Sequence, residues 1–203
     1  MASNSSREII HLVASLLVLT IAFTYPNLDP GLMVIVAFGV GTGFILHELA
    51  HKFTAQRYGY VADYEASPMG LLLAIGLKIF TGIVFAAPGA VMIRGRRYAY
   101  GQDEDQYMDS AAKEFAYISV SGAVVNLMLA IIFLTVSFFI TDQLISKILS
   151  WSAFINVFLA GFNMIPFGPL DGAKVWRYNP VLWGVVGIPA IILFLFINFL
   201  LPH

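Results

Sequence analysis

The sequence predicts an all-α polytopic membrane protein. It has about five transmembrane helices and a small re-entrant β-hairpin or irregular element near residues 69–93. Three observations lead there. Of the 203 residues, 59% are hydrophobic and only 11% charged, against about 25% charged in a soluble domain. The apolar residues gather in blocks long enough to cross a bilayer. The cationic residues fall almost entirely on one side when those blocks are threaded.

Residues 1–8 are polar, and residues 9–25 form the first apolar block. Only Arg7 precedes the block and Tyr25-Pro26-Asn27 follows it, without a small-x-small cleavage site, so it reads as a retained helix and not as a secretory signal. His11, near its start, reads as an ordinary interfacial histidine, with metal ligation as the alternative. Asn27 to Gly31 is a turn signal. The second span, residues 32–53, carries Gly39, Gly41 and Gly43, which suit close helix packing and would also leave room for a substrate near His47. Residues 54–68 are polar.

The stretch 69–93 is apolar but holds Gly70, Gly76, Lys78, Gly82, Pro88 and Gly89. Spans at 9–25, 32–53, 114–140, 150–167 and 181–200 place Arg7, Lys52, Arg57, Arg94, Arg96, Arg97, Lys113, Lys174 and Arg177 on one side, with Lys147 opposite, if 69–93 does not cross. The stretch then enters and leaves from the inner face. Val84-Phe85 and Val91-Met92-Ile93 around Ala86-Ala87-Pro88-Gly89-Ala90 suit two strands and a bend; a single tilted, interrupted helix is the rival. An open strand edge at such depth would suit an extended peptide.

The acids Asp103, Glu104, Asp105 and Asp109 read as a solvated inner face, and they lack the alternation of a calcium loop. The third span places Gly122 and Asn126 on one face; a buried Asn126 needs a partner in backbone, water or substrate. The fourth span ends at Asn163-Met-Ile-Pro166-Phe-Gly-Pro169-Leu-Asp171-Gly172, where two prolines interrupt the helix. A short helix over 173–178 follows. Residues 1–203 read as a single integral membrane domain, with no repeat or linker.

The chemistry centres on His47-Glu48-Leu-Ala-His51. Positions four apart on a helix share a face, so both histidines can reach one Zn²⁺, with Glu48 beside them to act on water. A catalytic zinc needs a third protein ligand and an open position. His11 and His203 lie near the chain ends; Asp171 is the better third ligand, because parity puts it on the same side as His51. The absence of any basic run argues against a nucleic-acid partner, and the absence of cysteine rules out thiol chemistry.

With these segments in view, the chain resembles the site-2 protease family of intramembrane zinc metallopeptidases, over about residues 32–178 and in a minimal form without a PDZ or CBS domain. His47-Glu48-x-x-His51 is similar to its first motif, and Asn163-x-x-Pro166-x-x-x-x-Asp171-Gly172 to its second. Gly122-x-x-x-Asn126 resembles the element between them, and Phe85 to Val91 the strand region before it. The resemblance implies a zinc-dependent metalloendopeptidase with one ion on His47, His51 and Asp171. It implies Glu48 as general base, Asn126 as a catalytic residue aiding the oxyanion, and Asn163 and Pro166 shaping the loop of Asp171. It also implies a membrane-protein or transmembrane-peptide substrate cut in or near its membrane segment, in a multi-pass protein of the cell membrane with a cytoplasmic N-terminus. Lys52 departs from the small residue many members carry there; it either snorkels to the inner surface or turns inward toward the metal. Two other classes fit less well: a catalytically silent relative that binds transmembrane segments, and a small transporter or metal-handling protein.

Overall fold

A computed structural model describes residues 5–96 and 104–197. Asp103, Arg97, His203 and the end of the 181–200 span lie outside the described residues, as do the side chains at 104–109, so the acidic-cluster reading falls outside them too. The element order is α1 (Ser5–Thr24), α2 (Pro30–Val40), a wide π-type turn (Gly41–Ile45), α3 (Leu46–Arg57), β1 (Tyr60–Ala66), α4 (Pro68–Thr81), β2 (Gly89–Arg96), α5 (Glu104–Ser137), α6 (Gln143–Asn163), α7 (Asp171–Tyr178) and α8 (Pro180–Phe196).

Among the described residues four runs are long and apolar enough to cross a membrane: Ser6–Thr24, Pro30–Arg57, Ser110–Ser137 and Gln143–Asn163. They correspond to the first four expected spans. The fourth begins earlier than the expected residue 150, because the Asp142 carboxylate accepts the Ile145 N–H and caps the helix there. It also ends earlier, at Asn163, ahead of the prolines. The fifth, α8, is apolar but shorter within the described residues.

The stretch 69–93 is neither two strands about a bend nor one broken helix. Pro68 opens α4, and the Ser67 hydroxyl caps it by accepting the Gly70 N–H. Gly82, at φ +77°, ends it in the left-handed conformation that favours glycine. Extended chain then leads back to β2. The partner of β2 is β1, which lies inside the segment read as merely polar. Tyr64 stands opposite Val91 and Ala66 opposite Gly89, antiparallel. The period-two signal at 91–93 is a strand; its partners are Tyr64, Asp63 and Ala62, in a segment where Tyr60, Ala62 and Tyr64 are buried among charges. The stretch therefore leaves from the sheet and returns to it. Its tip reaches Phe23 at the far end of α1 and Trp151 of α6, around a cavity of about 430 Å³.

Helix α1 seals the outer edge of β1. The Tyr64 N–H donates to Glu8 Oε1 at 3.1 Å, and the Ala66 N–H to His11 Nδ1 at 3.3 Å. Lys52 Nζ donates to both Glu8 oxygens, at 2.7 and 2.6 Å, with Asp63 at 3.7 Å. Lys52 thus ties α3 to α1 and β1 instead of entering the metal site, and His11 is a strand partner instead of a ligand. One apolar core gathers α1, α2, α6 and the sheet, and holds Leu19, Val36, Tyr64, Ile155 and Leu159. A second joins α5, α6, α7 and α8 around Ala123, Met164, Val175 and Ala190.

Candidate metal centre

The wide turn at Gly41–Ile45 leads directly into α3, which carries His47, Glu48 and His51 in its first turns, all buried. Gly43 is packed against Leu159 and Asn156 of α6, and Gly39 against Ile155 and Ser152. These glycines serve close helix packing. The room beside the histidines comes from Gly122 of α5: a Cβ there would lie 2.6 Å from both His47 Cε1 and His51 Nε2.

The irregular loop after α6 brings in the carboxylate. Asn163 Nδ2 donates to Leu159 O at 3.0 Å and closes the last turn of α6. Gly168 takes φ +61° in the loop, and Asp171 becomes the first residue of α7. The Trp183 indole N–H holds Met164 O at 2.9 Å, which fixes the loop to α8. Asp171 Oδ2 then lies 3.3 Å from His47 Nε2 and 3.0 Å from His51 Nε2, with the two Nε2 atoms 2.9 Å apart. The structure thus brings together the three residues that sequence spacing had placed on one side. Among the described residues they are the group able to hold a metal ion.

Proton bookkeeping tests the fit. His51 Nδ1 sits 2.6 Å from Ile118 O, a carbonyl that can only accept, so the ring proton is there. His47 Nδ1 sits 2.6 Å from Asn126 Oδ1. The Asn126 orientation is fixed from behind, because its Nδ2 donates to Gly43 O at 3.0 Å and to Asn156 Oδ1 at 2.9 Å. His47 therefore also carries its proton on Nδ1. Both Nε2 lone pairs are bare, and they converge with a carboxylate oxygen. Three such acceptors repel one another unless a cation lies among them. Nitrogen and oxygen ligands at about 2.0–2.2 Å suit zinc, with the outer ring nitrogens anchored as metal-ligating histidines require. The residues fit the ion.

Lys174, which sequence spacing did not single out, donates from Nζ to Asp171 Oδ1 at 3.0 Å. Burial alone would raise the Asp171 carboxyl. The Lys174 ammonium beside Oδ1 opposes that and favours the ionised carboxylate. Glu48 is buried, and its Oε2 has no hydrogen-bond partner. It borders a cavity of about 430 Å³ shared with His51, Asp171, Lys174 and the edge of β2. Asn126 is fully buried, with both ends of its amide committed. Asn156 completes that relay, and an asparagine within an apolar span is its signal in the sequence.

A helical membrane bundle with a buried His-His-Asp centre defines a multi-pass metallopeptidase-type architecture. The family model described as peptidase family M50 matches residues 140–189. The protein named "Putative zinc metalloprotease MJ0611", of Methanocaldococcus jannaschii, is 38% identical over 197 residues, covering 96% of each chain. "Zinc metalloprotease MJ0392" of the same organism is 29% identical over 66% of this chain and 30% of its own length. "Putative zinc metalloprotease Rip2" of Mycobacterium tuberculosis is 27% identical over 70% of this chain and 56% of its own. No solved structure matches. The chain belongs to peptidase family M50, the site-2 protease family, and is a zinc-dependent metallopeptidase of that type.

Replacing Asn126 by Ala removes the acceptor behind His47. Zinc affinity, read by chelator competition, should fall about 10–100-fold while the helical circular dichroism stays unchanged.

Proposed function

We propose that the protein is an intramembrane zinc endopeptidase that cuts peptide bonds in or near transmembrane segments of other membrane proteins, with one zinc ion. The observation that carries this reading is the convergence of two proton-free Nε2 atoms and one carboxylate oxygen beside an unpartnered buried glutamate. His51 stands six residues before the end of the Pro30–Arg57 run, or about 9 Å along the helix axis at 1.5 Å per residue. That supports a centre within the inner part of the membrane.

Zinc, when bound, supplies Lewis acidity toward a water and a peptide carbonyl. Glu48 takes one proton from the attacking water as the new C–O bond forms, then gives it to the nitrogen as the C–N bond breaks. His47 and His51 keep their Nδ1 protons throughout, because Asn126 and Ile118 hold them. Asn126 acts here as a positioning residue behind His47. Its amide hydrogens already serve Gly43 and Asn156 and leave nothing for an oxyanion.

A substrate helix hides its peptide bonds, so it must be opened and held open. The outer edge of β2 supports that role. Tyr64 and Ala66 point their N–H groups away from β2, toward α1. In an antiparallel ladder, their partners Val91 and Gly89 then also point N–H and C=O outward. That edge borders the cavity with Glu48, His51 and Asp171, where an extended peptide adds as a third strand. Lys52, Arg57, Arg94, Lys174 and Arg177 lie toward the sheet end, and Lys147 near the start of α6. This supports a cytoplasmic N-terminus in the cell membrane.

Glu48→Gln should keep one zinc per chain and lose at least about 10²-fold in cleavage of a transmembrane peptide; undiminished cleavage would sink the peptidase mechanism. Val91→Pro deletes the outward N–H and should raise KM severalfold, whereas Val91→Ala, which keeps that group, should not. In this cysteine-free chain, Gln56→Cys at the end of α3 should react with an impermeant maleimide only after cells are opened. Labelling of intact cells would reverse the orientation.

A further inference from the structure

The two oxygens of Asp171 have different neighbours. Oδ2 faces both histidine Nε2 atoms, at 3.3 and 3.0 Å. Oδ1 turns away and accepts from Lys174 Nζ at 3.0 Å. Lys174 stands three residues on, one turn along α7, so the pair shares a helix face. It is also part of the cavity wall with Glu48, and its side chain is 44% exposed.

We propose that Lys174 is a positioning residue that restricts Asp171 to one-oxygen ligation and so keeps the fourth coordination position free. The proposal rests on the zinc reading above. A catalytic zinc site has three protein ligands and one open place. Unrestrained, the carboxylate turns about its Cβ–Cγ bond and offers the second oxygen to the same ion. That oxygen would take up a coordination position that a water would otherwise fill. A donor on Oδ1 prevents the turn, and Lys174 supplies it. Lys174 is 44% exposed and Asp171 only 13%, so the ammonium at the cavity wall acts chiefly on the buried carboxylate that it touches.

The test uses the full-length, zinc-loaded protein in detergent, with Lys174→Met and Lys174→Arg, and Lys174→Ala in place of the first if it does not fold. X-ray absorption at the zinc edge reads the ligand shell, and a transmembrane peptide reads kcat and KM separately. Wild type should show a shell of four light atoms. Lys174→Met should gain a further, longer oxygen distance and lose about tenfold or more in kcat, with KM within twofold. Lys174→Arg, which keeps a charged donor, should restore the four-atom shell and bring kcat to within threefold of wild type. A Met variant with the wild-type shell and wild-type kcat would overturn the role of Lys174 and leave the zinc reading intact. Wild-type protein that takes up no zinc would overturn that reading itself.

Discussion

Three lone pairs pointing at one another in an apolar interior are a costly arrangement, and much of this bundle exists to enforce it. The histidines come from α3, but the groups that aim them come from α5: Asn126 for His47 and the Ile118 carbonyl for His51. Gly122 on the same helix supplies the space into which the rings turn. Asn156 of α6 completes the hydrogen bonds of Asn126, and the loop after α6 delivers Asp171. Each member of this hydrogen-bond relay is satisfied by the next, so that the two Nε2 atoms and Asp171 Oδ2 are left to face one another.

The two-stranded sheet carries a second constraint. A strand edge at membrane depth must be covered or used. Helix α1 covers the β1 side with Glu8 and His11, and Lys52 neutralises Glu8. The β2 side borders the cavity lined by Glu48, His51 and Asp171. Side chains of a helix therefore stand in for a strand on one flank, and the opposite flank keeps its hydrogen-bonding capacity.

The sequence was most informative where chemistry and spacing coincide. His47, Glu48 and His51 are legible because a helix repeats every 3.6 residues and because such groups are rare in apolar spans. Asp171 follows from charge parity and the two prolines. Less could be seen where a partner is distant along the chain. The pairing of β1 with β2 joins residues 60–66 to 89–96, and no local pattern names that partner. The sequence leaves His11 as an interfacial histidine or a ligand, and Lys52 as snorkelling or turned toward the metal; the folded contacts with Glu8 and Ala66 assign both to the sheet. Asn126 was legible as buried and polar, but its orientation depends on Gly43 and Asn156, more than eighty residues before it and thirty after.

Backbone groups along the β2 edge face outward only at alternate residues, at Gly89 and Val91. A chain paired there as a third strand would slide only in two-residue strides, about 6.8 Å at the antiparallel rise. A one-residue slip would set donor against donor. Under the proposed function the edge would work as a ratchet with a coarse pitch, and scissile bonds chosen within one bound segment would be spaced by even numbers of residues.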